Sequence, residues 1–365
     1  MIKKLCLYTT IAVFAVNCTS VKTAANKSTY LKFLDEYIFP NNVLFKGKEI
    51  GGLSGIDAYK DSYFFVCDDS KSPRFYTADI VIENKKIDTV IFKSMSHLKK
   101  NNTFVENYFF DLESLLYQSA NNSFILSSEG NIKNKQDPSV IEVDKEGNFI
   151  KSYQIPEYFK ANSKYKPRHN GLFEGLAISY DKKGFWVGTE LPLESDGSEP
   201  VFSEKYSPAR ITYYNWNDTL PKKQFIYQLD KMDKKPKGTF SVNGLTDMLA
   251  LSTDKMLVLE RSYSSGWGKE SNGLRIYEID PLNSTNTLET LNLSEEKIAT
   301  VPKKLVFDLE DIRLQLKHRS IDNIEGICYG PPLSNGHKTI LLISDNNFNT
   351  LDPQVNQFLL FEIIN

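Results

Sequence analysis

The stretch Gly171–Pro192, GLFEGLAISYDKKGFWVGTELP, reads as strand, turn, strand. The first run, Leu172 to Ser179, carries Glu174 beside a glycine. Asp181-Lys182-Lys183-Gly184 makes the turn, because Asp and Gly tolerate tight or left-handed backbone. The second run, Phe185 to Thr189, is aromatic and β-branched, and it stops on Glu190. Nothing in strand formation asks for an acid at either place, so the pair is the first functional hint.

The unit recurs. Gly52–Asp57 leads to Phe64–Asp68, Asp111–Leu115 to Phe124–Glu129, Gly244–Leu251 to Met256–Glu260, and Ile324–Ile327 to Ile340–Asp345. A copied strand–turn–strand cannot bury its own face, so the copies must pack on one another. A third strand follows each: Arg74–Ile80, Ser139–Asp144, Arg210–Asn215, Leu274–Ile279 and Gln357–Glu362. Most of these alternate apolar and polar, as half-buried strands do. A fourth often follows, as in Gln224–Leu229. Four antiparallel strands per repeat build a propeller blade. The reading is an all-β propeller of five four-stranded blades, with room for a degenerate sixth in Pro281–Phe307. The last copy has only three strands, and an orphan strand, Tyr30–Phe39, precedes the first. That strand is expected to pair with Gln357–Ile364 and close the ring, leaving no open sheet edge there.

Residues 1–18 resemble an export signal: Lys3 and Lys4, then an apolar run from Leu5 to Val16 too short to span a membrane. Ala15-Val16-Asn17-Cys18 resembles a bacterial lipobox, which would make Cys18 a lipidated residue; a plainly cleaved signal is the alternative. Residues 19–29 are small and polar and read as a tether to a single domain, 30–365. The expected location is therefore the cell envelope, with membrane contact through the lipid anchor only. The net charge of −2 and the lack of a basic stripe exclude a nucleic-acid partner. Cys67 and Cys328 fall on neighbouring blades of a closed ring, as two buried thiols or a disulfide. His97, His169, His318 and His337 lack zinc-ligand spacing.

Aligning the copies on their acids gives two rows. The first-strand row holds Ser54, Glu113, Glu174, Asp247 and Glu325; the second holds Asp68, Glu129, Glu190, Glu260 and Asp345. Innermost strands line a propeller's axis, so these rows predict rings of carboxylates at one mouth. Crowded, buried carboxylates need arginines, a metal or both. Arg74 and Arg210 start third strands, Arg261 follows Glu260, and Arg168 precedes the central motif. A guanidinium fork suits carboxylate or phosphate better than a flexible ammonium. The acids also have a purely structural use, accepting backbone hydrogen bonds from the next blade.

The opening Gly52–Asp57, followed by Cys67-Asp68-Asp69 and Pro73-Arg74-Phe75-Tyr76, resembles the phytase-like family, also called "esterase-like activity of phytase". The block Arg168-His169-Asn170-Gly171-Leu172-Phe173-Glu174-Gly175-Leu176-Ala177 and the block Val258-Leu259-Glu260-Arg261 resemble its middle and late motifs, so the likeness runs from about Gly51 to Ile364. It implies a propeller-like fold and hydrolysis of phosphomonoesters or other esters. It carries over Asp68, Asp69, Glu174, Glu190 and Glu260 as candidate catalytic acids, and Arg74, Arg168, Asn170, Arg210 and Arg261 as candidate substrate contacts. Asp247 and the uncharged Ser54 break the ring's symmetry.

Two function classes stand. One is a cell-envelope hydrolase acting on a small anionic ester, with arginines clamping the anion and a carboxylate or a metal-held water attacking. The other is a non-catalytic propeller binding a ligand or partner protein at its mouth. There is no G-x-S-x-G elbow, P-loop, H-E-x-x-H or dinucleotide fingerprint. No cofactor is specified. Calcium is the ion that the acidic loops Asp144–Asn148 and Glu194–Glu199 could hold, although the first also reads as a plain hairpin turn.

Overall fold

The computed structural model describes residues 29–349, without 204 and 297, and residues 354–364. The signal-like stretch and Cys18 lie outside the described residues. Five four-stranded antiparallel sheets are arranged as a β-propeller. Blade one runs outward from the axis as Leu53–Tyr59, Ser62–Cys67, Arg74–Glu83 and Lys86–His97. Blade two is Leu112–Gln118, Ser123–Ser128, Ser139–Asp144 and Phe149–Tyr153. Blade three is Phe173–Ile178, Gly184–Thr189, Pro208–Asn215 and Pro221–Gln228. Blade four is Ser241–Ser252, Lys255–Ser264, Asn272–Ile279 and Lys303–Asp308. Blade five takes Asn323–Gly330, Thr339–Asp345 and Asn356–Ile364 from the end of the chain, and Tyr30–Phe39 from its start. The closing pair runs antiparallel from Tyr30 opposite Ile364 to Phe39 opposite Asn356.

Both faces of a blade are covered by its neighbours, so its middle strands are not half-buried. Phe64 and Val66 face blade two, while Phe65 and Cys67 face blade five. Phe358, Leu359, Leu360 and Phe361 are likewise all buried. Each large side chain removed from water in this way contributes about 1.5–3 kcal/mol. Five apolar clusters result among the described residues, one in each space between adjacent blades. Cys67 and Cys328 share the cluster between blades one and five as free thiols.

Pro281–Phe307 builds no sixth blade. Its earlier part crosses the outer edge of blade three, where Thr287 N–H donates to Gln224 O (2.8 Å) and Val301 N–H to Ile226 O (2.8 Å). The excursion thus satisfies backbone groups that an outermost strand leaves open. Its last residues become the outer strand of blade four.

The inner strands approach closely around the axis. A Cβ on Gly175 would lie 2.7 Å from the Asp247 Cα, so only glycine allows blade three to meet blade four there. Among the described residues no helix is long and apolar enough to cross a membrane.

Candidate functional site

Every inner hairpin breaks register at the same place. Leu53 pairs with Cys67, Leu112 with Ser128, Phe173 with Thr189, Leu245 with Glu260 and Ile324 with Ser344, and a β-bulge follows at once in the first strand. A bulge twists its strand and re-aims a side chain. The residues at the start of these bulges are Ser54, Glu113, Glu174, Thr246 and Glu325. One step beyond the paired residue on the second strand stand Asp68, Glu129, Glu190, Arg261 and Asp345.

The sequence alignment is therefore one residue out in blade four. Thr246, not Asp247, occupies the first row, and Arg261, not Glu260, the second. Alternate residues of a strand face opposite ways, so this single step sends both acids elsewhere. Asp247 becomes a stitch between blades, its Oδ1 accepting from Leu176 N–H (3.1 Å) and its Oδ2 from Ile327 N–H (2.9 Å). Glu260 accepts from Tyr227 Oη (2.5 Å), Asp230 N–H (3.0 Å), Asn243 Nδ2 (2.9 Å) and Lys303 Nζ. It lines a separate cleft of about 210 Å³ with Asp230, Arg275 and Asp308. The uncharged pair behave alike: Ser54 Oγ donates to Leu112 O (3.2 Å) and Thr246 Oγ1 to Ile324 O (3.4 Å).

Of the remaining row members, all but Asp345 converge. Asp68, Glu113, Glu129, Glu174, Glu190, Glu325 and Arg261 line one axial cavity of about 910 Å³. Asn170, with a left-handed φ of 51°, and His169 lie on its wall. The exposed Lys133, Lys269, Lys317 and Phe240 also line it. Carboxylate oxygens of Glu129, Glu174 and Glu190 lie within 4.8 Å of one another, as do those of Asp68, Asp111 and Glu113. Asp111 was absent from both sequence rows; it directly precedes the paired Leu112, and aligning the copies on that apolar residue would have exposed it.

Arg261 is the deep cation. Its Nη2 donates to Glu190 Oε1 (2.8 Å) and lies 3.8 Å from Glu325 Oε1, while Nη1 donates to Asn323 Oδ1 (2.8 Å). Burial works against its charge, but the carboxylates of Glu325, Glu190, Glu174 and Asp345 outweigh that and hold the guanidinium charged. The acids are pushed the other way. Burial, then the charges of Glu129 and Glu190, drives the Glu174 carboxyl well above the usual range. Burial followed by Asp68 does the same to Glu113, and burial followed by Asp345 to Asp68. Burial also raises Glu190 against the pull of Arg261. Glu129 is raised to about 8 by burial and Glu190, although the Leu172 N–H it accepts works the other way. Burial and Asp345 lift Glu325 to about 8, and burial lifts Asp345 to about 7.

The other arginines do not join this cavity. Arg74, buried under blade one, forms an ion pair with Asp69 (2.5 Å) and donates to Tyr76 Oη (2.6 Å). Arg210 is buried in blade three with Asp196, whose two oxygens accept from Nε (2.6 Å) and Nη2 (2.9 Å). Arg168 ties down the loop after blade three's second strand through Pro192 O (2.9 Å), Gly197 O (3.1 Å) and Glu199 (2.8 Å). Each guanidinium is consumed by an acid close to it in its own blade, which sequence alignment of arginines alone does not register. Asp196 is thereby occupied in the loop read as a calcium site. Asp144 closes a hairpin turn, accepting from Glu146 N–H (3.0 Å) and Asn148 N–H (2.8 Å).

A family model described as "Phytase-like: Esterase-like activity of phytase" matches residues 48–348, more than half of the chain. No curated protein matches it. Among solved structures, a thermostable family-43 glycoside hydrolase is similar at 7% identity and a TM-score of 0.47, over 88% of this chain and 91% of that one. A GH32 beta-fructofuranosidase of Bombyx mori is similar at 11% identity and 0.44, over 86% and 60%. A native arabinanase of Bacillus subtilis is similar at 10% and 0.41, over 85% and 94%. Identities this low say nothing of activity.

Proposed function

Because the chain belongs to the phytase-like family, we propose that it is an exported ester hydrolase, anchored at the cell envelope through Cys18, whose reaction takes place at the acidic mouth of the propeller. The substrate class is a phosphorylated or other anionic ester. The observation that carries the reading is the convergence of five buried carboxylates with the half-buried Asp68 and Arg261 on a single cavity. Acids held near neutrality suit proton transfer, since a general acid or base works best when its pKa lies near the working pH. Glu325, raised to about 8, can hold a proton for the leaving oxygen. Burial holds Asp345 at about 7, and its charge raises Glu325 and Asp68. Arg261 supplies fixed positive charge where an ester oxygen becomes negative. The exposed lysines of the cavity meet an incoming anion first.

Hydrolysis of phosphomonoesters and carboxyl esters by the purified protein tests this directly. Glu174→Gln and Arg261→Gln should each lower turnover by about two orders of magnitude or more, with the fold retained by circular dichroism. Arg74→Lys, at an ion pair outside the cavity, should leave turnover within a few-fold of the parent. Equal activity in all four proteins would end the assignment of the reaction to this mouth, and no turnover by the parent would end the hydrolase reading.

One feature favours a second reading, a propeller that binds without turnover. Eight acids line the cavity against four lysines and arginines, which is a better match to a cationic ligand than to an anion. Capture of a polyamine by the parent protein, lost in Glu174→Gln and without any ester cleavage, would select that reading.

A further inference from the structure

We propose that Glu129, Glu174 and Glu190 form a site for one divalent cation of the calcium type. The three carboxylates come from blades two and three, are all buried, and present oxygens within 4.8 Å of one another. That span is what two oxygens on opposite sides of a calcium ion reach at about 2.4 Å each. The donors are all oxygen, with no histidine or thiol among them, which selects a hard cation over zinc.

A second observation is independent of the clustering. The Glu174 side chain is only 8% exposed and lines the cavity, yet no described residue donates a hydrogen bond to its carboxylate. A buried carboxylate normally accepts several such bonds, and one without them carries a large desolvation cost. Its neighbours are provided for: Glu129 accepts from Leu172 N–H (2.8 Å) and Glu190 from Arg261 (2.8 Å). Glu174 alone in the trio faces the cavity with both oxygens uncommitted. Charge supports the same assignment. Three carboxylates carry −3, and Arg261, which Glu190 shares with Glu325, offsets only part of it; a divalent cation offsets two charges more. Ionised without the cation, the buried trio keeps an excess of negative charge, which is costly.

The inference deepens the reading of the mouth given above, but its test measures binding alone, so loss of the hydrolase reading leaves it standing. The full-length protein, stripped with chelator, is titrated with calcium by calorimetry and with terbium by luminescence. One saturable equivalent is expected at this trio, with a rise in unfolding temperature on adding calcium. Glu174→Gln and, separately, Glu129→Gln should weaken the binding at least ~10-fold, which corresponds to about 1.4 kcal/mol, and should abolish the temperature rise. Asp79→Asn, an exposed acid paired with Lys93 on blade one, should bind as the parent does. The proposal is overturned if the parent binds no calcium, or if it binds calcium with the same affinity in both trio variants. Should Glu174→Gln fail to fold, Glu129→Gln decides the matter by the same two readouts. Tighter binding of magnesium than calcium would overturn the calcium type.

Discussion

At the scale of the residue, one step along a strand separates a mouth residue from a structural one. Glu260 and Arg261 are adjacent, yet the first is enclosed by Tyr227, Asn243 and Lys303 while the second reaches Glu190 on the neighbouring blade. Glu260→Gln should therefore act on stability and leave the mouth's chemistry near parental values, whereas Arg261→Gln acts on the mouth. Measuring urea stability and turnover together separates the two; a large loss of turnover in Glu260→Gln would contradict the geometry. Asp247 makes a cleaner case. It accepts from two backbone N–H groups on two different blades. Asp247→Leu leaves both donors buried and unanswered, at a cost of about 1–3 kcal/mol for each. The midpoint of urea unfolding should fall accordingly, and an unchanged midpoint would mean that the stitch contributes nothing.

At the scale of the element, the bulge is the device that turns a strand into part of a site. It places Glu113, Glu174 and Glu325 at the mouth without lengthening their hairpins. Gly175 shows how tightly this is drawn. In Gly175→Ala the new methyl meets backbone on blade four, which no rotamer change relieves, so a loss of about 1–3 kcal/mol is expected from thermal or urea unfolding; a variant as stable as the parent would show that the blades have slack there. The five copies, the four-stranded blades and the closing strand were all legible, because two-residue periodicity and turn chemistry are local properties of the chain. Most of the acid ring was legible too, from Asp68 round to Asp345. What failed was blade four, where anchoring on Asp247 rather than on Leu245 shifted the register. The arginines failed for another reason: Arg74 and Arg210 each have a partner only 5 and 14 residues away, counting 74 − 69 and 210 − 196, and the partner's use of them appears only in three dimensions.

At the scale of the whole molecule, the mouth makes stability depend on pH. Glu325 and Asp345 keep protons in the folded state up to about 8 and about 7, above their ordinary values of 4.5 and 3.8. Between those limits the native state binds more protons than the unfolded one, so stability is greatest at the acid end of the window and is lost as pH rises. Each excess proton is worth about 1.4 kcal/mol per pH unit. In chelator, the urea midpoint should fall on going from pH 5.5 to 8.5, and a flat or rising profile would show the acids to be compensated. Closure has its own test. A chain beginning at Asn41 lacks the strand that covers Asn356–Ile364, and it should lose its cooperative unfolding transition and associate through the bared edge. A monomeric, cooperatively melting product would refute that. The same pairing also sets a clock for the molecule. Tyr30 waits for Ile364, 334 positions later by 364 − 30, so the ring stays open until the ribosome has made that last strand of blade five. The cost of so wide a closure grows only logarithmically with length, and delay rather than energy is what it imposes. Until blade five's last strand has been made, the growing chain is an arc of four blades, and a product terminated before it stays an arc, with a raw strand at one end for any chaperone or protease to recognise.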